Sequence, residues 1–459
     1  MRAVFTVPPR GCLDTENQVR LMTIEATPPS FATMQALQRQ ALSYVAPDFD
    51  SIRLAISSRI TSLPRRDERI HIDAGQDGAF TIDLATGSLD RRQGDPEPNA
   101  TLTAGPRTFA RILNGSREPR GLLLFGALQI RGQMESGLRL CDELSGNWFP
   151  RQEQFTALPL PMPTKDRVLA RRHLEEFGYC MIADALSCAE LAALRARLDE
   201  QAAAEMAAGI AYFEGGRGAT EDRRGFRGDI VSNEASAAIA APNQRVWLLH
   251  NKGDAFIDLL DNSVISEFVP GFLDEDYPLL GQYSANVVGP GSEAQFLHQD
   301  QHPVQPATHF PIAVNTLFCL DDFTEENGAT CIIPGSHIVE RGLTPANIYS
   351  TQGTSVARAP AGSAIVLDSR LWHGAGVNTT GRSRRAIIML TQRSWTRAVN
   401  NGALGVHPTV LAKLSDRAKS LFGFRVTGGL GSIQTESEGS LVGWDPNNLV
   451  LEMHLKAAG

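Results

Sequence analysis

Two imidazoles and a carboxylate on one side of a strand can hold a metal ion, and this chain offers the beginning of such a set twice. His298-Gln299-Asp300 lies in "QFLHQDQHP" and His71-Ile72-Asp73 in "RIHID". In a strand, residues two apart project to the same side. With 10 His in 459 residues the pattern recurs by chance, so the residues downstream of each copy must decide. After His71 and Asp73 no histidine appears until His173, which leaves that pair without a third ligand. After His298 and Asp300 comes His373, in "RLWHGAG", at the end of an apolar strand. Two histidines and one carboxylate form the facial set that suits ferrous iron and leaves three positions open. A structural zinc site would want four closed ligands, often with Cys, and a catalytic one more commonly shows H-E-x-x-H.

Three open positions suit 2-oxoglutarate, a keto acid that chelates iron at one end and leaves a far carboxylate to be anchored. A guanidinium is the planar, two-pronged partner for that carboxylate. Arg384 stands eleven residues after His373, across the turn "NTTGRS", at the start of "RRAIIML". The turn returns its strand alongside that of His373. Arg382 falls in the turn itself, and Arg385 points to the opposite strand face.

The elements that must position these groups fall into two portions. The stretch "NWFPRQEQFTALPLPMPTKDR" carries Pro150, Pro159, Pro161 and Pro163 with no helical or strand period. It predicts an extended linker over 148–165. Before it, "DSIRLAISSRITSL" has helical spacing, while "RIHIDAG" and "AFTIDLATGSL" alternate as strands. "ATLTAGPRTFARILNG" reads as a strand leading into a helix, and "MESGLRLCDELSG" as a short amphipathic helix. An α+β domain is expected over 31–147, after a lead-in without structure over 1–30. After the linker, a helix ends at Gly178, and Ser187 with Glu190 makes a capping box for the next. From about residue 280 short strands separated by Gly, Pro and Asn turns predict a jelly roll within a 166–459 domain with flanking helices.

The composition is that of a globular protein: 42% hydrophobic and 20% charged. A net charge of −8 argues against a general nucleic-acid partner, which needs clustered Lys and Arg. The six cysteines are scattered and read as free thiols of a reducing compartment. The N-terminus lacks the apolar core of a signal peptide, translation starts at either Met1 or Met22, and no apolar run is long enough to span a membrane. The expected location is cytoplasmic.

Two resemblances sharpen this reading. "NATLTAGPRTFARILNGSREPRGLLLFGALQIRGQMESGLRL" resembles the C-terminal half of a sterol-carrier-protein-2-like domain, over about residues 35–145. That implies a small sheet with helices around an apolar tunnel, either open to an acyl chain or filled by the protein itself. The segment "HQD…LDDFTEENGATCIIPGSH…WHGAGVNTTGRSRRAII" is similar to the phytanoyl-CoA dioxygenase family, with "LEEFGYCMIADALSCAELAAL" as its opening. This second resemblance covers about residues 166–400.

It implies a double-stranded β-helix (jelly-roll, cupin-like) oxygenase domain, with Fe(II), 2-oxoglutarate and O2 as cofactor and co-substrates. By matching position, His298, Asp300 and His373 would bind iron and Arg384 the 2-oxoglutarate carboxylate, with Gln282 and Thr316 adding hydrogen bonds from flanking strands. Lys252, in "LLHNKGDAF", faces either an anionic ligand or solvent, and His337, in the "PGSH" turn, is a structural hydrogen-bonder. The intact Asp300 favours hydroxylation or desaturation over halogenation.

The implied activity is hydroxylation of an apolar or lipid-like small molecule, with release of succinate and CO2. Alternatives are a secondary-metabolite tailoring oxygenase and a catalytically silent lipid carrier. A zinc hydrolase fits less well, since no general base accompanies the ligands. An acyl-CoA or other lipid-like small molecule is the expected partner. The Gly- and Arg-rich stretch 212–244 reads as a long binding or lid loop.

Overall fold

The computed structural model describes residues 48–89, 96–114, 119–124, 126–145, 160–214, 229–230, 243–301, 308–338, 341–432 and 437–442. The expected lead-in and most of the expected linker lie outside these residues.

In the N-terminal region, helix α1 (Phe49–Ile60) starts at Asp48, whose carboxylate accepts from Ser51 N at 2.7 Å. Phe49, Ile52, Ile56 and Ile60 form its buried stripe, at the three- and four-residue spacing of one helix face. The strands are β1 (Arg69–Asp73), β2 (Ala79–Asp83), β3 (Ser88–Leu89), β4 (Ala100–Thr103) and β5 (Gln129–Gly132). They form one sheet in the order β3-β2-β1-β4-β5, parallel only between β1 and β4. Helices α2 (Pro106–Leu113), α3 (Pro119–Leu124) and α4 (Met134–Ser145) complete the layer. Ile70, Ile72, Phe80, Ile82 and Leu102 from the sheet pack with Ile56, Phe109 and Leu140 from the helices. This is the α+β layer expected from the alternating and helical periods.

The C-terminal region opens with α5 (Arg167–Phe177), capped by Asp166, which accepts from Val168 N and Leu169 N. Gly178 ends it at φ 78°, and a Cβ there would meet His337 Nδ1 at 2.5 Å, so the turn requires glycine. After β6 (Tyr179–Ile182), α6 (Cys188–Ala207) begins with the expected Ser187–Glu190 capping box. The remaining strands are β7 (Tyr212–Glu214), β8 (Asp229–Ile230), β9 (Asn243–Trp247), β10 (Leu279–Val288), β11 (Ala313–Cys319), β12 (Thr330–Ile332), β13 (Ser355–Val356), β14 (Ala364–Asp368), β15 (His373–Ala375) and β16 (Arg384–Gln392).

Eight of them form an antiparallel sheet, β6-β14-β11-β16-β10-β9-β7-β8, and three form a second, β13-β12-β15. Leu317, Ile365 and Ile388 of the large sheet pack against Ile332 of the small one and the neighbouring Ala357 and Ala359. The other face of the large sheet carries Val314, Phe318, Val366 and Met389 beneath α6 and the helical segments around 254–273 and 402–424. The expected layout is thus met as antiparallel sheets with flanking helices, whereas no closed barrel forms among the described residues. The stretch 212–244, expected as a loop, contains β7 and β8, which pair antiparallel; the rest of it is outside the described residues, apart from β9.

Free thiols are found at Cys141, Cys180, Cys319 and Cys331, all buried, and at Cys188, which is exposed. Among the described residues no helix is long and apolar enough to cross a membrane.

Candidate metal centre

His298 and His373 sit on adjacent segments locked by a reciprocal pair of backbone hydrogen bonds. His298 N donates to His373 O at 2.8 Å, and His373 N to His298 O at 2.9 Å. The close approach depends on Gly374, where a Cβ would lie 2.9 Å from Phe296 O and 3.0 Å from Gln295 O. Each imidazole uses Nδ1 on a carbonyl two residues back, His298 on Phe296 O and His373 on Leu371 O, both at 3.0 Å. A carbonyl only accepts, so both rings donate from Nδ1 and present Nε2 toward Asp300. His298 Nε2 lies 3.6 Å from Asp300 Oδ1 and His373 Nε2 3.6 Å from Oδ2. The three donor atoms lie within 4.8 Å of one another.

Asn315, on β11, donates Nδ2 to Asp300 Oδ2 at 2.8 Å. Burial works against the Asp300 charge, but His373, His298 and the Asn315 amide outweigh it and hold the carboxyl well below the usual carboxylate range. Burial pushes the His373 imidazole down, toward the neutral form a metal needs, with Asp300 partly opposing. The Asp300 side chain is 18% exposed against 6% and 7% for the imidazoles, so the cluster opens on its carboxylate side. Two imidazole Nε2 atoms and an ionised carboxylate with an open side fit a ferrous ion.

Arg384 begins β16 and is 3% exposed. Its Nη2 donates to Gly328 O at 2.6 Å, and its guanidinium carbon lies 4.4 Å from the Phe323 ring centre. Its Nε is buried with no hydrogen-bond partner, and among the described residues no carboxylate pairs with it. Burial pushes the guanidinium down to about 10, offset in part by Cys319 and Asp321, so it stays cationic at neutral pH. A buried cation with an unused donor fits an external anion. The geometry also sets its reach. Gly328 adjoins Ala329, whose carbonyl accepts from Gly376 N at 3.0 Å, three residues along from His373. Three strand residues span roughly 10 Å, the scale of a short dicarboxylate plus its metal.

The other expected site residues separate clearly. Gln282 faces the same side as Asn315, since both pair with Leu390 across adjacent strands, and its Nε2 donates to Ser284 Oγ at 2.8 Å. Thr316 does not face the site. It pairs with Met389 and Val366 on the opposite, helix-covered face, fully buried with an unpartnered Oγ1. The expectation was one residue out, and Asn315 is the side chain β11 presents. Lys252, half-buried, pairs with the buried Glu205. His337 is structural as expected, its Nε2 3.0 Å from Glu175 O. Arg385 projects away from Arg384 and binds Asp321 at 2.7 Å and Asp199 at 2.6 Å. Arg382 is exposed in the turn.

Asn378 went unnoticed in the sequence. Fully buried, it donates Nδ2 to Val288 O, Gly289 O and Arg382 O and accepts from Thr380 on Oδ1, tying the turn before Arg384 to the end of β10. Its signal in the sequence was its place between His373 and Arg384, in the stretch that resembles the phytanoyl-CoA dioxygenase family.

Residues 174–386, which contain the triad and Arg384, match the phytanoyl-CoA dioxygenase (PhyH) family. Residues 61–142 match the SCP-2 sterol transfer family. The chain thus carries, side by side, a stretch similar to the sterol-carrier family and one similar to the phytanoyl-CoA dioxygenase family. Among relatives, the chain is 33% identical over 222 residues to dioxygenase af480 of Aspergillus fumigatus, covering 48% of this chain and 64% of the relative. It is 35% identical over 150 residues to multifunctional dioxygenase ausE of Penicillium brasilianum, covering 30% and 49%. The chain therefore spans less than two thirds of either relative. Among solved structures, HygX of Streptomyces hygroscopicus, with nickel and 2-oxoglutarate bound, aligns at 15% identity and a TM-score of 0.37, covering 50% of this chain and 88% of that one.

Proposed function

We propose that the protein is an Fe(II)- and 2-oxoglutarate-dependent dioxygenase that hydroxylates an apolar or lipid-like small molecule. The observation that carries this reading is the meeting of His298, Asp300 and His373, together with a buried, carboxylate-free Arg384 on the face of the large sheet that carries Asn315. The phytanoyl-CoA dioxygenase match over these residues and the dioxygenase names of the relatives support it.

In this reading His298, Asp300 and His373 hold the iron, and the two sheets are the two sides of a double-stranded β-helix. Asn315 keeps the Asp300 carboxylate ionised and aimed. Arg384 takes the far carboxylate of 2-oxoglutarate through its unused Nε, and Gln282 lines the same face. Bound iron with its co-substrate supplies O2 activation, coupled to decarboxylation of 2-oxoglutarate to succinate and CO2. The chain's own contribution is to keep one side of the ligand set open, to fix both imidazole tautomers, and to wall off water with the Leu317–Ile388 core. The lipid-like substrate is inferred from the adjoining sterol-carrier domain. The breadth implied by a relative named as a multifunctional dioxygenase favours a second reading, oxidative tailoring of a secondary metabolite.

Anaerobic addition of Fe(II) and 2-oxoglutarate tests the assignment. A visible charge-transfer band near ~500 nm is expected when a keto acid chelates open-faced ferrous iron. Its absence in folded, metal-loaded protein would return the chain to a lipid-carrier reading.

A further inference from the structure

Strand alternation gives the ligand-bearing segments a second face. His298 and His373 project to the metal side, so their neighbours Leu297 and Trp372 project behind it. That back face is covered by the sterol-carrier domain. Leu297, Trp372 and Ile348 form one buried cluster with Leu138 of α4, and Leu123, Ile130 and Met134 close its edge.

Arg120, on α3, is the polar centre of this seam and is 2% exposed. It grips Asp142 of α4 with two prongs, Nη1 to Oδ1 at 2.8 Å and Nη2 to Oδ2 at 2.9 Å. Across the seam, Nε and Nη2 donate to Pro345 O at 3.1 and 2.9 Å. Its guanidinium carbon stands 5.9 Å from the Trp372 ring centre. Both histidines are reached from this one side chain. The Trp372 ring leads directly to His373, and Pro345 leads in three residues to Ile348, whose carbonyl accepts from Leu297 N at 2.7 Å beside His298.

We propose that Arg120 of the sterol-carrier domain is a positioning residue for the metal centre, acting through Trp372 on His373 and through the Pro345–Ile348 segment on His298. The oxygenase ligand set is then completed only with its neighbouring domain docked behind it. The proposal rests on the reading of His298, Asp300 and His373 as metal ligands. Groups that orient ligands from behind matter roughly 10–100-fold in metal affinity.

The test titrates Co(II), a visible-absorbing probe, anaerobically into the full chain and reads affinity and band shape. Arg120→Ala is expected to weaken Co(II) binding about tenfold and to alter the band. Arg120→Lys still reaches Pro345 O but loses the two-pronged grip on Asp142, and should fall between. Ile70→Val, in the same domain's core and away from the seam, is expected to lower stability while leaving affinity and spectrum unchanged. If Arg120→Ala does not fold, Leu138→Val is read in the same way. A folded seam variant with wild-type affinity and spectrum overturns the proposal, as does Ile70→Val weakening Co(II) binding equally. Wild-type protein that binds no Co(II) sinks the triad reading itself, and this proposal with it.

Discussion

The two H-x-D pairs are the same motif in the same kind of element with opposite outcomes. On β1, His71 spends Nδ1 on Thr81 Oγ1 at 3.0 Å, and Asp73 accepts from Gly75 N at 2.8 Å within the turn to β2. The first pair serves its own hairpin. The second is met by a third ligand brought 75 residues along the chain (373 − 298) and by an amide from β11. What separates them is convergence. A metal needs several donors within a few ångströms, and a two-residue spacing supplies only two of them.

The largest effect should come from the triad. His298→Ala and Asp300→Ala are expected to abolish the Fe(II)–2-oxoglutarate band and to weaken metal binding at least about 100-fold, whereas His71→Ala and Asp73→Ala leave both at wild-type values. Metal titration of the four variants decides, and a first pair that mattered as much would erase the distinction. Next is Arg384→Ala, which removes the anion partner but no ligand. The KM for 2-oxoglutarate should rise roughly 100-fold while Co(II) affinity stays within about threefold, with Arg384→Lys recovering part of the loss. Equal damage to both constants would mean that Arg384 only supports the fold.

A finer contrast lies within β11. Asn315→Ala should weaken metal binding about tenfold by releasing Asp300, and Thr316→Val should leave it unchanged. Since Thr316 is buried with an unpartnered hydroxyl, Thr316→Val should also hold or slightly raise the denaturation midpoint. Loss of metal in the Thr316 variant would reverse the face assignment. The smallest effect is expected away from the centre: Lys252→Met leaves Glu205 buried without its cation and should cost about 2 kcal/mol of stability, read from the urea midpoint, with metal affinity unaltered.

The error at Thr316 shows where sequence reading stops. Every residue of "AVNTLFC" is buried, so β11 has no polar–apolar alternation from which to read its parity. On β16, Arg384 was placed by a local cue, the short turn that separates it from His373 in the sequence. Lys252 was ambiguous because its partner Glu205 lies 47 residues away on α6. The capping box at Ser187 and the helix stop at Gly178 were readable because their partners are local.

By itself, then, the sequence determined what chemistry was available. It specified the donor types at His298, Asp300 and His373, the guanidinium at Arg384, the helix ends, and the succession of an α+β domain and a strand-rich one. Those features depend on residue identity and on periods of two and about 3.6, which a chain carries locally. The tertiary structure alone decided which face β11 turns to the site, which H-x-D acquires a third ligand, and that Arg120 and Leu138 stand behind Trp372. Those outcomes depend on strand register and on packing between segments more than 200 residues apart, such as Arg120 and Pro345. No local period encodes such a contact.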